Sequence, residues 1–226
     1  MSNKQGKRYR ADFGKVPPAP VSIVEAVKAI KQFSQAKFDQ TVELVIWLGI
    51  DPKQADQAIR GSVSLPHGIG KSKKVIAFCD EATVPVAIAA GAIEAGSDAL
   101  IDKVNKGWTD FDVAVATPAM MRSVSRLGRV LGPQGKMPSP KSGTVLEDIA
   151  TAVREYAAGK VEFRNDDGGN VHVPVGKLSF EEAQLTENIT SFVHRIVSMK
   201  PSNSKGAYIK KACLCATMTP AIPLAF

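Results

Sequence analysis

The 226-residue sequence predicts an α/β protein with two domains, of which the outer one is assembled from both ends of the chain. Between residues 68 and 159, short apolar strands alternate with helices, which is typical of a small parallel sheet covered by helices. The flanking segments, 1–67 and 160–226, each combine a helix with a strand that has one open face. The charge follows the same division, with 10 basic and 6 acidic residues in 1–67, 11 and 10 in the middle, and 8 and 6 in 160–226. We therefore expect a discontinuous outer α+β domain and an inserted α/β domain.

The first segment begins with a basic stretch that we expect to form an extended arm. Residues 1–20 contain Lys4, Lys7, Arg8, Arg10 and Lys15, and they end in three prolines. Such a stretch often binds phosphate or acidic lipid head groups, although a solubilising tail has the same composition. Ser22 and Glu25 then form a capping box, which predicts a helix that ends near Ala36.

A strand over Gln40–Gly49 sorts its residues onto two faces. The core-facing positions are Val42, Leu44, Ile46 and Leu48, and the other positions are Thr41, Glu43, Val45 and Trp47. Because alternate side chains of a strand point in opposite directions, the second set forms a partly polar open face. After this strand, Asp51 and Pro52 predict a short helix that Gly61 ends.

The middle segment alternates strands with helices. Strands are expected at Lys74–Cys79, Ala99–Leu100 and Phe111–Ala116, and helices at about Thr83–Ala95, Ala119–Val130 and Val145–Ala157. The loop over Leu131–Gly143 is dense in glycine and proline, which hold unusual backbone angles. Its basic residues could meet phosphate, or the loop could simply pack over the sheet, and the sequence favours neither.

The last segment begins with a predicted β-hairpin. Its strands are Lys160–Arg164 and Asn170–Val175, joined by a turn that contains two glycines. Ser179 and Glu182 indicate a second capping box, which opens a helix to about Met199. A final strand is expected over Tyr208–Met218, and the last seven residues are expected to be loop or tail.

Several classes of protein are disfavoured by composition. No apolar run approaches the roughly 18 residues that a membrane span needs, and the polar, basic beginning is unlike a secretory signal. The three cysteines are an odd number with no Cys-x-x-Cys pair, which favours a reducing, cytoplasmic setting over a disulfide framework.

No catalytic or metal-binding motif is visible. The segment Gly68-Ile69-Gly70-Lys71-Ser72 resembles a phosphate loop, but Leu65 stands where that motif requires glycine, and the segment precedes a strand instead of following one. The three histidines and the pair Cys213 and Cys215 lack the spacing of metal ligands. We therefore expect no cofactor, no metal and no small-molecule substrate.

Three motifs carry a resemblance to a known family. The first comprises Lys37-Phe38-Asp39-Gln40-Thr41-Val42-Glu43, Leu48-Gly49-Ile50-Asp51 and the stretch from Arg60 to Lys71. The second is the glycine–proline loop that continues to Val145, and the third comprises Phe163-Arg164-Asn165-Asp166, His172, Val175-Gly176-Lys177 and Lys205-Gly206-x-Tyr208. From about Gly6 to Met218, the chain resembles the L-one family of ribosomal proteins, which belong to the mobile stalk of the large ribosomal subunit.

The resemblance implies an architecture and a set of partners. It implies an outer RNA-binding domain of residues 1–67 and 160–226, with an inserted Rossmann-like domain at 68–159. It also implies a non-enzymatic structural role in the cytoplasmic ribosome, through binding to 23S rRNA at the mobile stalk. Further expected partners are the exit-site tRNA, whose movement and release the protein would assist, and its own operon mRNA, whose translation it would repress.

The resemblance also implies the contact residues. The expected RNA-binding residues are Lys37, Phe38, Thr41, Glu43, His172, Lys177, Thr217 and Met218. Lys4, Lys7, Arg8 and Arg10 are expected to add phosphate contacts without sequence preference. The family usually has glycine after the Thr-Met pair, where this chain has Thr219, so a side chain at that position could crowd the approach of RNA.

Two other functions stay open from the residues alone. An enzyme that binds a nucleotide on the sheet of the middle domain would show micromolar nucleotide affinity. A general basic binder of nucleic acid would hold a stalk RNA and a random duplex equally at the same salt concentration.

Overall fold

The computed structural model describes residues 6–54, 56–204 and 206–225, so Lys4 of the predicted arm lies outside the described residues. The chain divides into two compact units. The outer unit comprises Met1–Gly70 and Glu162–Phe226, and the inserted unit comprises Lys71–Val161. Both units mix helices with a sheet, so the predicted α/β class is confirmed.

The outer unit is built on a four-stranded antiparallel sheet. Its helices are α1 (Lys7–Phe13), α2 (Ile23–Lys31) and α8 (Glu182–Ser198), and its main strands are β1 (Thr41–Leu48), β7 (Asn170–Lys177), β8 (Ile209–Ala216) and β9 (Ile222–Leu224). The strand order is β7-β1-β8-β9. A separate two-stranded sheet pairs β2 (Arg60–Val63) with β6 (Val161–Arg164), at the point where the chain enters and leaves the inserted unit.

Alternation along β1 positions the core of this unit. The predicted core positions Val42, Leu44, Ile46 and Leu48 are all fully buried. Helices α2 and α8 pack against the sheet and against each other, and they supply further buried residues such as Ile30, Ile189 and Phe192. The opposite face of β1 has no helix on it that the described residues reveal, and its side chains are half-buried or exposed.

One predicted helix cap is confirmed and the other is wrong. The Ser22 hydroxyl accepts a hydrogen bond from the Glu25 backbone, and the Glu25 carboxylate accepts one from the Ser22 backbone, as a capping box requires. Helix α8 is instead capped by Glu181 with Gln184. Ser179 is not available for capping, because its hydroxyl and its backbone N–H both donate to the Asp39 carboxylate.

Other local predictions for the outer unit are also wrong. Residues 7–13 form helix α1 instead of an extended arm, and the described residues 51–54 and 56–59 contain turns instead of the helix that Gly61 was expected to end. The predicted hairpin does not form, because β6 and β7, on either side of the turn at 165–169, share only the bridge Asn165–Val171 among the described residues. Strand β6 instead pairs with β2, and β7 pairs with β1. Residues 222–224 form β9 on the edge of the sheet, where a tail was expected.

The inserted unit has a three-stranded parallel sheet between two layers of helices. Its strands are β3 (Val75–Phe78), β4 (Glu94–Gly96) and β5 (Val113–Ala116), and its helices are α3 (Val84–Ala89), α4 (Asp98–Asn105), α5 (Met121–Val124), α6 (Gly128–Leu131) and α7 (Ile149–Ala157). The strand order is β4-β3-β5. Helices α3 and α7 cover one face of the sheet, and α4 to α6 cover the other.

Several details of this unit differ from the sequence prediction. The helix expected over Thr83–Ala95 ends at Ala89, and Glu94 and Ala95 lie in β4. Residues 99–100, expected as a strand, lie in α4, and the strand is instead Glu94–Gly96. The helix expected over 119–130 is broken into α5, a 3-10 turn at Ser125–Leu127, and α6. Across the described parts of both units, no helix combines the length and the apolar character that crossing a membrane requires.

Candidate nucleic-acid interface

The open face of the four-stranded sheet brings together residues from both ends of the chain. Strand β1 contributes Thr41, Glu43, Val45 and Trp47, β7 contributes His172, Pro174 and Lys177, and β8 contributes Lys211, Cys213 and Cys215. Thr41 pairs with Lys177, and Glu43 lies between Pro174 and Cys215. The register therefore gathers four of the eight predicted RNA-binding residues, Thr41, Glu43, His172 and Lys177, on one surface.

At one end of this face, Thr41 links three elements. The Lys177 ammonium donates a hydrogen bond to the Thr41 hydroxyl over 2.8 Å. The Thr41 backbone N–H donates to the Thr217 hydroxyl over 3.1 Å, and the Thr217 N–H donates to the Thr41 carbonyl over 3.1 Å. Three of the predicted contact residues are thus held in one cluster, with their polar groups at the surface.

The segment after β8 is anchored by a buried side chain, Gln40. Its side-chain oxygen accepts a hydrogen bond of 2.9 Å from the Met218 backbone N–H, and its own carbonyl accepts one from Leu178. The donor at Met218 fixes which end of the amide is oxygen. The Gln40 Nε2 is buried and has no partner among the described residues. Gln40 was not predicted as a site residue, although its polar side chain at a core-facing position of the strand was a signal.

The residue after the Thr-Met pair does not project from the surface. Thr219 is buried, and its hydroxyl accepts a hydrogen bond from the Ala216 N–H over 2.9 Å. Its φ is negative, so this backbone does not require glycine. The expectation that a side chain here could crowd the approach of RNA is therefore wrong, because that side chain is folded back into the turn.

Lys37 and Phe38 lie beside the Thr41 cluster, at the rim of a cavity. The Phe38 ring is 53% exposed, and Lys37 is exposed as well. A cavity of about 370 Å³ is lined by Gln35, Ala36, Lys37, Phe38, Asp39, Gln40, Leu178 and Ser179. An exposed aromatic ring beside a cation and a concave surface can hold a base or a ribose.

Glu43 and the two cysteines occupy the middle of the face. Within the described chain the Glu43 carboxylate makes no hydrogen bond, and the neighbouring Lys177 ammonium donates to the Thr41 hydroxyl. Burial raises the pKa of the Cys213 thiol, and burial together with Glu43 raises that of Cys215. Both thiols are therefore neutral at physiological pH and add no negative charge to the surface.

The other end of the face carries an exposed aromatic residue and three basic ones. Trp47 is 39% exposed, and the Lys210 ammonium lies over its ring, 4.8 Å from the centroid. Lys211 pairs with Trp47 across the sheet. His172 is exposed, with its Nε2 3.9 Å from the Asp166 carboxylate.

Three of the N-terminal basic residues lie on helix α1 and not on an extended arm. Lys7, Arg8 and Arg10 are exposed. The helix is fastened by Asp12, which is buried and accepts hydrogen bonds from the Ser34 backbone and hydroxyl. Burial raises the pKa of Asp12, but the bonds from Ser34 and the nearby Lys15 outweigh it, so the pKa lies below its ordinary value.

The glycine segment that resembles a phosphate loop has a structural role. The Asn188 amide accepts a hydrogen bond from the His67 N–H and donates to the carbonyls of Gly68 and Val175. Gly70 has a φ of +71°, and a β-carbon there would lie 2.9 Å from atoms of Lys177 and Phe180. Close packing and a positive φ therefore explain Gly70, and Gly68 also has a positive φ, of 61°.

The glycine–proline loop of the inserted unit is held largely by its own polar groups. The Thr144 hydroxyl accepts from Ser139, and the buried Tyr156 hydroxyl donates to the Ser142 carbonyl over 2.7 Å. These bonds favour the alternative in which the loop packs over the sheet, although Lys141 of the loop and Arg129 of the preceding helix α6 are exposed. No group of three or more potential metal ligands occurs in the described residues of either unit.

Comparison with known proteins identifies related chains. Residues 30–220 match the profile of the family described as "Ribosomal protein L1p/L10e family". Three relatives are each named "Large ribosomal subunit protein uL1". The protein from Rhodopirellula baltica is 55% identical over 98% of this chain and 99% of its own length. The protein from Kosmotoga olearia is 52% identical over 90% of this chain and 88% of its own length. The protein from Chlorobium phaeobacteroides is 47% identical over 96% of this chain and 95% of its own length.

Proposed function

Because this chain belongs to the ribosomal protein L1p/L10e family, we propose that it is a structural component of the large ribosomal subunit and binds 23S rRNA at the mobile stalk. Family membership and near-complete coverage of proteins named for the large subunit support the ribosomal role. The discontinuous outer unit is the proposed RNA-binding domain, and the inserted unit is the proposed Rossmann-like domain. No catalytic reaction is part of this proposal.

The Thr41 cluster is the single observation that carries RNA binding. Double-stranded RNA is recognised through its 2′-hydroxyl groups and phosphates, and these meet donors and acceptors on a protein surface. The hydroxyls of Thr41 and Thr217 and the Lys177 ammonium lie in one hydrogen-bonded group on an open sheet face. Because they already bind each other, they meet an RNA strand without first being ordered, which reduces the entropic cost of binding.

The other predicted residues have roles that follow from their positions. Phe38 offers a ring for packing on a sugar or base, and Lys37 offers a phosphate contact at the same rim. Met218 is 47% exposed beside Thr217. Glu43 can accept hydrogen bonds from 2′-hydroxyl or base amino groups, since its carboxylate is unpaired among the described residues.

Two further partners belong to the same proposal. The protein would assist the movement and release of exit-site tRNA, and it would repress translation of its own operon by binding an mRNA fold that resembles the stalk. The hydroxyl cluster supports the second role, because a surface that recognises RNA by shape accepts any RNA with that shape. Lys7, Arg8 and Arg10 would add salt-dependent contacts to phosphate in each case.

The test is a titration of the full chain against a stalk-rRNA fragment and a scrambled RNA of the same length, at several salt concentrations. We expect a preference of at least about a hundredfold for the stalk RNA that persists at high salt, because hydroxyl contacts do not release counterions. Equal affinities that fall together with salt would leave only a general basic binder. Calorimetry with ATP, GTP and NAD tests the alternative enzyme, and we expect no binding.

A further inference from the structure

We propose that Trp47, together with Lys210 and Lys211, is a second RNA contact at the end of the open face opposite Thr41, taking one nucleotide on the indole ring and backbone phosphate on the ammonium groups. This inference rests on the proposed RNA-binding function. It extends the RNA footprint along nearly the whole of β1, because Trp47 lies six positions after Thr41 on the strand, a length of about 20 Å.

The exposure of Trp47 is the first observation that supports this contact. It lies on the open face of a central strand, where it is 39% exposed, although burying a tryptophan side chain is strongly favourable. Phe38 and Met218 are exposed near the Thr41 end of β1, since Phe38 lines the same cavity as Gln40, and Met218 follows Thr217, which is hydrogen-bonded to Thr41. An aromatic residue therefore lies at each end of the polar strip, and exposed rings on a sheet face are a common platform for RNA bases.

The local backbone is the second observation. The pairing of β1 with β8 shifts register between Trp47 and Leu48, so that Trp47 pairs with Lys211, Leu48 pairs with Ile209, and Lys210 is the additional residue. Such a bulge re-aims the side chain of the extra residue. Here it brings the Lys210 ammonium over the indole, while Lys211 stays at its regular position beside it.

The charge at this end suits a polyanion. Lys210 and Lys211 are both exposed, and neither forms an ion pair or a hydrogen bond with another residue in the part of the chain that the structure describes. Asp51 lines the same cavity as Lys210, and its carboxylate accepts hydrogen bonds from the Lys53 N–H and the Gln54 side-chain amide. Two cations without an ion-pair partner among the described residues therefore flank an aromatic ring. Proteins that bind single-stranded RNA hold nucleotides with this combination of an aromatic ring and basic side chains.

The contact between Lys210 and the ring is weak enough to be exchanged. A cation over an exposed aromatic ring is held loosely, whereas an ammonium bound to a phosphate forms a charge-assisted hydrogen bond. An incoming nucleotide can therefore take the indole face for its base or ribose while the ammonium moves to the adjoining phosphate. The contact seen in the free protein keeps both groups at the same place.

Fluorescence gives a direct test, because the chain has only two tryptophans. The variant Trp108→Phe leaves Trp47 as the single tryptophan. We expect stalk RNA to quench its emission in a saturable way, with the same midpoint as an independent measurement of binding by anisotropy of labelled RNA. The matched variant Trp47→Phe reports Trp108, which lies in the inserted unit with Lys103 over its ring at 4.2 Å, and we expect no quenching there.

Affinity gives the second test. We expect Trp47→Ala to weaken stalk-RNA binding by about 5- to 150-fold, the usual range for removing a base-stacking aromatic residue, and Trp47→Phe to retain most of the affinity. Lys210→Ala with Lys211→Ala should reduce the dependence of log affinity on log salt by about one to two units. Trp108→Ala should change neither quantity.

The outcomes separate this inference from the proposed function. Tight, selective stalk-RNA binding without Trp47 quenching, and with an unaltered affinity of Trp47→Ala, would overturn the second contact and leave the Thr41 cluster in place. If Trp47→Ala loses binding and also has a lowered melting temperature, the loss has two explanations, the missing contact and a destabilised fold. Trp47→Phe then decides between them, because its phenyl ring leaves no large cavity. Failure of the unaltered chain to prefer stalk RNA would remove the proposed function itself.

Discussion

The hydroxyl of Thr217 serves the protein and the proposed RNA site at once. It accepts a hydrogen bond from the Thr41 backbone and lies on the exposed side of the segment. Thr217→Val keeps the shape but removes the acceptor. We expect this change to weaken stalk-RNA binding by about 1–3 kcal/mol, the effect of losing a hydrogen bond whose partner becomes buried.

The control for Thr217→Val is Thr217→Ser, which retains the hydroxyl and should bind within about 0.5 kcal/mol of the unaltered chain. Both variants are compared by titration at one salt concentration, with melting temperature measured alongside. A loss below about 0.3 kcal/mol for Thr217→Val would contradict a direct role of this hydroxyl.

Gln40 gives a second prediction at this scale, with affinity and stability responding differently. Gln40→Met removes the acceptor for the Met218 N–H, and it also removes the buried Nε2 that has no partner among the described residues. The first loss frees the Met218 segment, so stalk-RNA affinity should fall by about tenfold. The second removes an unfavourable buried donor, so the free energy of unfolding should change little.

The matched control for Gln40 is Gln35→Met, since Gln35 lines the same cavity but is exposed. It should leave both affinity and stability unchanged. If Gln40→Met lowered stability and affinity in proportion, Gln40 would be a structural residue only, and the Met218 segment would need no positioning by it.

Helices and strands show which parts of the fold the sequence could predict. The alternation in Thr41–Leu48 correctly assigned the buried face, because burial on one side of a sheet imposes a period of two. The β–α alternation of the middle segment correctly indicated a parallel sheet with helices on it. Both signals are local, and each repeats over enough residues to be unambiguous.

The errors lie where a distant residue decides the local structure. Ser179 has the sequence context of a cap, but Asp39, which is 140 residues away in the chain, binds its hydroxyl. The two strands around the turn at 165–169 look like a hairpin, but each finds a different partner strand. Gln40 and Lys210 were missed as site residues for the same reason, since the Met218 contact and the register shift beside Trp47 depend on strand pairing.

Helix α1 gives a prediction that depends on pH. Asp12 is buried, and its pKa lies below the ordinary value of 3.8, because the hydrogen bonds from Ser34 and Lys15 outweigh the effect of burial. A carboxyl with a lowered folded-state pKa stabilises the fold above its unfolded-state pKa, and this contribution disappears as the pH falls through the folded value. The bond between α1 and Ser34 should therefore weaken below about pH 4, near that ordinary value.

The measurement is urea unfolding of Asp12→Asn against the unaltered chain from pH 2 to 7. We expect the variant to be less stable by about 1–3 kcal/mol near neutral pH, with the difference shrinking as the pH drops below 3.8. The exposed Asp167→Asn is the control and should show no such difference. A constant difference across the whole range would mean that Asp12 acts through packing and not through its charge.

At the scale of the whole molecule, the two units divide the proposed work. The outer unit has its own core, and the proposed RNA-binding residues that the structure describes lie within it. The chain enters and leaves the inserted unit at neighbouring points, since β2 pairs with β6 and the Lys73 ammonium donates to the Lys160 carbonyl over 2.7 Å. A short linker can therefore replace residues 71–161 without straining the outer unit.

We expect a chain in which about six Gly/Ser residues replace 71–161 to fold cooperatively and to bind stalk RNA within about threefold of the full chain, because no proposed contact is removed. Anisotropy titration at matched salt measures this, and circular dichroism with thermal melting confirms folding. The same deletion that also carries Thr217→Val is the internal control, and it should lose affinity as the full-length variant does. A folded deletion chain that binds more than tenfold weaker would place essential RNA contacts on the inserted unit, where the exposed Arg129 of α6 and Lys141 of the glycine–proline loop would be the first residues to test.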